Sequence, residues 1–437
     1  MSDVANSSEK AVDKPVISTG YSHYVLGLLS TVYIFNFIDR QILAMLIEPI
    51  KQEFGVSDTA MGFLSGFAFV FFYTLAGIPI ARWADHRSRR VIITLAVATW
   101  SVMTAVSGLA RSFAQLAVIR VLVGVGEAGG TPPSHSLLSD YFGQDKRATA
   151  LGVYACGVYV GSALAFLAGG YLVQNYSWRI AFYIVGLPGI LLALLVWFTV
   201  KEVPRGHSET HDASTDSVSL TETLRFLLSR PSFCFIVLGS SVQSLSGYSI
   251  ITWGPAFLSR VHGMQWIDIG IMLGWVVGFA GCGGAFIGGK LTDALGARNT
   301  AWYMRLPALE SLLCVPFAVG FVMFDNQQLA LLCFVPFYFL GAMYVGPMHS
   351  MIQSLARLRM RATASAILLF VVNMVGLGLG PLLVGLLNDY VFAATHGEQA
   401  IRYSLLVLAV VGGFGSLLFW QASRTLAEDL ASRDRDT

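Results

Sequence analysis

Long apolar runs, separated by short polar segments, dominate this chain from residue 23 onward. An α-helix rises about 1.5 Å per residue and the hydrocarbon core of a bilayer is about 30 Å thick, so a spanning helix needs roughly 20 mostly apolar residues. Twelve runs meet this length and predict twelve transmembrane helices. The predicted spans are residues 23–47, 59–82, 91–110, 113–140, 147–174, 178–200, 232–259, 266–290, 299–324, 328–355, 362–390 and 400–423.

One long polar stretch separates the first six spans from the last six. Ser, Thr and charged residues concentrated between two apolar regions are typical of a linker. Within it, Leu220 to Leu228 predicts a short amphipathic helix at the membrane surface. The predicted organisation is a tail at 1–22, a six-helix bundle at 23–200, a linker at 201–231, a second six-helix bundle at 232–424 and a tail at 425–437.

Two short segments recur at nearly the same spacing. The loop after span two, residues 81–90, returns after span eight as residues 289–298, with Asp85 and Asp293 separated by 208 positions. The string Arg147-Ala-Thr-Ala returns 214 positions later, beginning at Arg361. Duplication of a six-helix unit leaves this kind of trace, and we predict two pseudo-symmetric bundles.

Composition agrees with an all-α membrane protein. The chain is 55% hydrophobic and 12% charged, whereas soluble domains carry about 25% charged residues. A formal net charge of +2 provides no basic field for nucleic acid, so nucleic acid is not an expected partner. The five cysteines lie inside apolar runs without metal-ligand spacing, and no metal or cofactor is expected.

The positive charges predict an orientation. Of the 28 Lys and Arg residues, 20 fall on the side of both termini, 5 on the other side and 3 within spans. The positive-inside rule then places both termini in the cytoplasm, with the chain a multi-pass protein of the cytoplasmic (inner) membrane.

Four charged residues lie in the interior of predicted spans one and four, away from the span ends. Arg120, Gly124 and Glu127 are spaced i, i+4 and i+7, so they share one helix face. Asp39 and Arg120 both fall roughly 10–12 Å below the same membrane surface, which predicts that they face each other with Glu127 two turns deeper. Since charges at this depth are costly, Asp39, Arg40, Arg120 and Glu127 are the candidate substrate and proton-coupling site, with Asp39 and Glu127 as proton carriers. A purely structural ion-pair site is the alternative.

The two repeated loops are candidate gates. An aspartate at a tight turn can accept hydrogen bonds from a helix N-terminus while neighbouring arginines pair with acids across the bundle interface. The candidate acceptors are Asp85 and Asp293, and their cationic partners are Arg89, Arg90 and Arg298. The alternative is that these charges only set orientation.

Several weaker candidates complete the analysis of the spans. Gly124, Gln243, Tyr248, Trp253 and Asn373 are possible cavity-lining residues, with ordinary helix packing as the alternative. In span nine we expect Arg305 to extend toward the membrane surface and Glu310 to make a structural contact. The lone histidines His135 and His349 are expected to be packed rather than functional.

Enzymatic motifs are absent from the sequence. Ser134 and His135 are adjacent on a helix and point about 100° apart, so they cannot act as nucleophile and base. The run from Gly284 to Leu291 lacks the Ser or Thr that a phosphate-binding loop requires, so ATP is not the expected energy source. An intramembrane hydrolase or acyltransferase, and a sensor that does not transport, remain less favoured alternatives.

The form G-x-L-x-D-x-x-G-x-R after span eight resembles the signature of major facilitator transporters, although the first copy has Ala81 and Ser88 at the glycine positions. The strings I-D-R-Q in span one, R-V-L-V-G-V-G-E-A-G in span four and Ser177-Trp-Arg before span six resemble bacterial relatives of the spinster sphingolipid transporters. This resemblance implies a monomeric, proton-coupled secondary transporter of an amphipathic lipid, such as a lysophospholipid or sphingoid phosphate, that works by alternating access. Organic-anion/proton symporters share the span-four pattern, so a small carboxylate or sugar acid is the second candidate.

Overall fold

The computed structural model describes residues 18–204 and 219–435. Within these ranges the chain is helical and contains no strand, and its membrane-length helical rods are numbered α1 to α12. The rods of the first half are α1 (Thr19–Phe54), α2 (Asp58–Gly62, Phe63–Phe67 and Ala68–His86), α3 (Arg89–Ser107), α4 (Phe113–Glu127 and Thr131–Tyr141), α5 (Gln144–Ala155 and Gly157–Asn175) and α6 (Trp178–Thr199).

The second half repeats this layout after a linker helix, Leu220–Leu228. Its rods are α7 (Pro231–His262), α8 (Trp266–Trp275, Val276–Ala280 and Gly281–Gly296), α9 (Trp302–Met323), α10 (Gln327–Met343 and Val345–Leu355), α11 (Arg361–Val372, Asn373–Leu379, Gly380–Leu386, Leu387–Phe392 and Ala393–His396) and α12 (Ala400–Arg435). An even number of rods brings the chain's two ends to one face of the bundle, here called the terminal face. The other is the opposite face.

By length and hydropathy, ten helical stretches of the described chain are suited to cross a membrane. One of them, Arg361–Ser432, is 72 residues long and contains both α11 and α12, which part near Gly397 at a φ of 53°. The rod α1 is not among the ten, but its 36 residues pack along α5 and α6 within the bundle. Separating α11 from α12 and counting α1 gives the twelve predicted spans.

The first and last rods extend beyond their predicted spans. Rod α1 continues to Phe54 and ends where Gly55 adopts a left-handed conformation, with a φ of 61°. Rod α12 continues through most of the predicted 425–437 tail because its last turns contact the start of α7. The Asp429 carboxylate accepts a hydrogen bond from the Ser232 backbone N–H at 2.8 Å, and the Thr425 and Ser232 hydroxyls lie 2.7 Å apart.

Irregular turns recur at matching positions in the two halves. A π-helical turn, Phe63–Phe67, interrupts α2, and another, Val276–Ala280, interrupts α8, 213 positions later. Rod α4 is broken between Glu127 and Thr131, and α10 is broken at Tyr344. A π-helical turn is wider than an α-helical turn and interrupts the regular backbone hydrogen bonds. Its recurrence in both halves is a structural counterpart of the repeat seen in the sequence.

The halves touch closely toward the opposite face. A methyl group on Gly170 of α5 would lie 2.5 Å from the Trp266 carbonyl oxygen of α8, and one on Gly62 of α2 would lie 2.4 Å from the Pro381 carbonyl oxygen of α11. Small residues permit such backbone approach between membrane helices. Side-chain hydrogen bonds and ion pairs also join the halves toward the opposite face.

The predicted amphipathic helix in the linker is present at Leu220–Leu228. Its Leu227 is buried against the second half, whereas Leu220 and Leu228 are exposed. The Phe226 ring contacts two guanidinium groups, with Arg230 at 3.5 Å and Arg357 at 4.6 Å from its centroid. These contacts fix the helix at the terminal face of the second half. The remainder of the predicted linker, residues 205–218, lies outside the described residues.

Candidate functional site

Two ion pairs join α1 and α4 inside the first half. Arg120 donates to the Asp39 carboxylate at 2.7 Å, as the depth argument predicts, and Thr104 of α3 donates to the other Asp39 oxygen. Arg40 donates to Glu127 at 2.6 Å. Asp39, Arg120 and Glu127 are each only 1% exposed. Adjacent residues of α1 therefore engage two residues of α4 that lie about two turns apart.

Arg40 differs from Arg120 in its surroundings. Its guanidinium carbon lies 5.1 Å from the ring centre of Phe37, 5.0 Å from that of Phe69 and 5.2 Å from that of Tyr73. The Arg40 Nε has no hydrogen-bond partner, which is also true of the Arg120 Nε, and neither has the Glu127 Oε1 atom. Rings at this distance stabilise a cation without consuming its hydrogen-bond donors. Arg40 thus retains an unused donor beside a carboxylate that retains an unused acceptor.

A cavity of about 480 Å³ lies between the halves and reaches Arg40. The lining comes from α1 and α5 on one side and from α7 and α10 on the other, and Gln243 and Tyr248 are among the predicted residues that line it. Aromatic rings make up much of the wall. These are Phe37, Tyr159, Tyr248, Phe337, Tyr338 and Tyr344. Arg40 is the one permanent cation among the lining residues, and no lining residue is an acid.

Three predicted lining residues lie outside this wall. A methyl group on Gly124 would lie 2.8 Å from the Phe69 carbonyl oxygen, so Gly124 serves the close packing of α4 on α2. Trp253 is fully buried and donates its indole N–H to the Pro381 carbonyl oxygen at 2.9 Å, which ties α7 to α11. Asn373 begins the π-helical turn of α11. For Gly124 and Trp253, helix packing is the role that the contacts describe.

Arg120 is paired with Asp39 and does not line this cavity. Its role in substrate binding and proton coupling stays a prediction. His349, expected only to be packed, lines the cavity. The aromatic residues of α5 and α10 were missed because an aromatic residue in an apolar run gives no signal of the direction in which it points.

Charged contacts at the terminal face lie within the first half. The Arg89 guanidinium of α3 pairs with Asp140 of α4, donates to Glu202 at 2.9 Å and donates to the Val203 carbonyl oxygen at 2.5 Å. Ser88 donates to Glu202 at 2.6 Å, and the Arg90 backbone N–H donates to it at 2.9 Å. We call Ser88, Arg89, Arg90, Asp140 and Glu202 the terminal-face clamp. It joins α3, the end of α4 and the chain after α6.

The clamp changes the acidity of one carboxyl group outside the spans. Burial acts to raise the pKa of Glu202, but hydrogen bonds from Ser88, the Arg90 backbone N–H and Arg89 outweigh it, so the pKa lies below the ordinary glutamate value. Glu202 was not a predicted site residue. A glutamate shortly after a span gives no sequence signal that it will meet a loop more than 100 positions earlier.

The predicted latch between halves is not made by the described gate residues in this conformation. All described partners of Arg89 and Arg90 belong to the first half. Asp293 is exposed and accepts only from the Tyr303 hydroxyl at 3.3 Å, and Arg298 is exposed. The side chain of Asp85 lies outside the described part of the structure. Gating by these residues stays a prediction.

A charged network closes the opposite face, and none of its residues was predicted as a site residue from the sequence. Arg260 of α7 donates to both oxygens of Asp58 in α2, at 2.7 and 2.8 Å, and to Glu48 of α1 at 2.7 Å. Lys51 pairs with Asp58 at 2.7 Å, and Asn388 of α11 donates to Asp58 at 2.9 Å. We call these five residues the opposite-face lock. Its bidentate pairing across the two halves is a strong and directional form of ion pair.

The described residues contain no group of three or more His, Cys, Asp or Glu side chains able to hold a metal ion.

An aromatic cavity between two helical halves, closed on one face, is the architecture of a membrane transporter that exposes its site to one side at a time. The model of the Major Facilitator Superfamily matches residues 29–381. The chain belongs to this superfamily.

Individual proteins agree with that assignment. An MFS-type efflux pump of Mycolicibacterium smegmatis is 34% identical over 94% of this chain and 94% of its own length. A D-galactonate transporter of Escherichia coli is 25% identical over 91% of this chain and 95% of its own length. The crystal structure of a bacterial homologue of the human lysosomal transporter Spinster, inward-facing and unoccupied, has a TM-score of 0.86 and 31% identity, covering 94% of this chain and 99% of that one. The chain is a multi-pass membrane transporter of the spinster type and not an enzyme.

Proposed function

We propose that this protein is a secondary active transporter of an amphipathic lipid with an anionic head group, of the lysophospholipid or sphingoid phosphate type, driven by protons. The observation that carries the proposal is the cavity wall: Arg40 is its one permanent cation, and aromatic rings surround the rest. Cationic and aromatic groups together suit a ligand with a charged head and an apolar tail.

Proton coupling follows from the charge balance around Arg40. Paired with the Glu127 carboxylate, Arg40 is neutralised and offers little to an anion. A proton on Glu127 removes the negative charge and frees the Arg40 guanidinium for an anionic head group. Proton binding and substrate binding then favour each other, which is the reciprocity that a coupled carrier requires. Asp39, paired with Arg120, is the second proposed proton carrier.

Alternating access would proceed by exchanging the contacts of one face for those of the other. In this conformation the opposite-face lock is made, and the partners of Arg89 and Arg90 lie within the first half. We propose that Asp85, Asp293 and Arg298, with Arg89 and Arg90, take part in closing the terminal face when the lock opens. The proposed setting is the cytoplasmic membrane, with both termini cytoplasmic and a monomer as the working unit.

A small organic anion is the second candidate substrate, because the similar E. coli protein is named a D-galactonate transporter. A sugar acid would use Arg40 in the same way but would leave the aromatic wall without an apolar partner. The two candidates therefore differ in what they require from α7 and α10, and not in what they require from Arg40.

The test is flux into sealed proteoliposomes, with a labelled lysophospholipid and labelled galactonate offered separately under an imposed pH gradient. We expect gradient-dependent lysophospholipid movement that Arg40→Gln abolishes. The matched control is Arg225→Gln, which removes an exposed cation of the linker helix, outside the cavity and both candidate gate loops, and should transport normally. Movement of galactonate alone would transfer the assignment to the second candidate, and movement of neither would reject both.

A further inference from the structure

A buried carboxyl group without a hydrogen-bond partner lies in the second half of the molecule. Glu310 of α9 is 3% exposed, and neither of its side-chain oxygens has a hydrogen-bond partner. The structural contact expected from the sequence is therefore not a hydrogen bond or an ion pair. Glu310 lies eight positions into α9, about 12 Å along the helix axis from its terminal-face end.

No cation compensates this carboxyl group among the described residues. Arg305, on the same helix, is directed to the Trp420 ring at 5.8 Å. Rod α9 packs mainly on α10 and α12, with fewer contacts to α8. The titratable and charged groups of these helices include Tyr338, Tyr344, His349, Arg402, Arg424 and Lys290, and none of them forms a hydrogen bond or ion pair with Glu310.

An ionised carboxylate in such a place would have lost its hydration without gaining a partner. Groups in that situation take up a proton and become neutral instead of remaining charged. The neutral acid needs no counter-ion and can be accommodated in an apolar helix interface. The surroundings of Glu310 thus fit a carboxylic acid and not a carboxylate.

Glu310 is also one helical turn from Cys314, a residue that contacts the cavity wall. Residues four apart share a helix face, so Cys314 follows Glu310 on the same side of α9. The Cys314 thiol donates to the Phe337 carbonyl oxygen at 3.7 Å and interacts with the Gln243 side chain. Phe337 and Gln243 both line the central cavity. Cys314 therefore lies between the buried acid and two residues of the cavity wall.

We propose that Glu310 is a proton-binding site of the second half, occupied in this conformation and in exchange with the cavity past Cys314 and Gln243. Binding adds one proton to one carboxylate oxygen and needs no other reactant. The site is separate from the two ion pairs of the first half and does not depend on which substrate is carried.

The test is infrared spectroscopy of the purified, lipid-reconstituted protein at neutral pH, recording the carbonyl stretch of protonated carboxylic acids. We expect a band that Glu310→Gln removes and Glu53→Gln leaves unchanged, since Glu53 is an exposed carboxylate paired with Arg179. Glu127→Gln should also leave the Glu310 band in place. Transfer to D₂O should shift the band within minutes.

A band that survives Glu310→Gln, or no such band in the wild type, would overturn the proposal. A band that does not shift in D₂O would overturn exchange with the cavity. If Glu310→Gln fails to fold, that result also counts against the proposal, because glutamine closely mimics the neutral acid and should be tolerated. Glu310→Asp, which shortens the side chain, then provides the independent spectrum, and its band should move without disappearing.

Discussion

The two halves of this transporter share a framework but differ in their charges. In the first half, α1 and α4 meet through two buried ion pairs, Asp39 with Arg120 and Arg40 with Glu127. The corresponding rods of the second half, α7 and α10, line the cavity with Gln243, Tyr248 and other uncharged polar or aromatic groups, apart from the titratable His349. The two halves share one scaffold, whereas the buried ion pairs beside the cavity occur in the first half.

The largest effect is expected from breaking a first-half pair. Arg120→Ala leaves Asp39 buried without its cation, which should cost about 3–5 kcal/mol of folding stability and reduce transport by at least about 100-fold. Thermal unfolding in detergent and proteoliposome flux measure the two effects. The double variant Asp39→Asn with Arg120→Gln removes both charges and should recover much of the stability but not the transport. Recovery of transport would assign the pair a structural role.

The next largest effect concerns the opposite-face lock. Arg260→Gln leaves Asp58 and Glu48 without their shared partner across the halves, and we expect the closed arrangement to lose about 2–5 kcal/mol relative to the open one. Spin labels at Tyr176 and Phe324, both exposed on the opposite face in different halves, should report a longer distance. Arg179→Gln is the matched control, because its ion pair with Glu53 lies within the first half. Equal distances in wild type and Arg260→Gln would contradict a gating role for the lock.

A smaller loss of folding stability is expected at the terminal face, and it should differ between the loop of the first half and that of the second. Glu202→Gln weakens the clamp of the first half and should cost about 1–2 kcal/mol at neutral pH. The lowered pKa of Glu202 means that this stabilisation is present above the unfolded-state pKa and is lost as the pH falls through the folded-state pKa. Variant and wild type should therefore converge in acid. Asp293→Asn in the second half, where the carboxylate is exposed, should change stability by less than about 0.5 kcal/mol. Thermal unfolding over a pH series measures both, and equal losses would show that the loops are equivalent.

The smallest effect on transport is expected at the uncharged side of the cavity wall, which α7 and α10 form. Gln243→Leu removes neutral hydrogen-bonding capacity worth about 0.5–1.5 kcal/mol, which corresponds to a loss of a few-fold in transport rate. Initial flux rates, with the amount of reconstituted protein held equal, provide the comparison. A loss as large as that of Arg40→Gln would show that the second half carries as much of the binding as the first.

Much of this arrangement could be predicted from the sequence, for identifiable reasons. Apolar runs of about 20 residues are dictated by membrane thickness, and the Asp39 to Arg120 contact follows from equal depth on two helices. Depth arithmetic could not reveal that Arg40, rather than Arg120, reaches the cavity, because it does not fix the rotation of α1. The opposite-face lock was missed for a related reason. Arg260, Asp58 and Glu48 lie near span ends, where a charge is ordinary, and only the packing of α2 against α11 and of α1 against α7 brings them together.

In the proposed cycle, a proton on Glu127 frees Arg40 for an anionic substrate. Substrate flux in proteoliposomes across a series of imposed pH gradients, comparing wild type with Glu127→Gln, tests this step. Glutamine mimics the protonated acid permanently, so we expect wild-type flux to follow the gradient, whereas the variant still exchanges labelled substrate across the membrane but no longer responds to pH. If Glu127→Gln keeps the wild-type dependence on the pH gradient, Glu127 is not the coupling group.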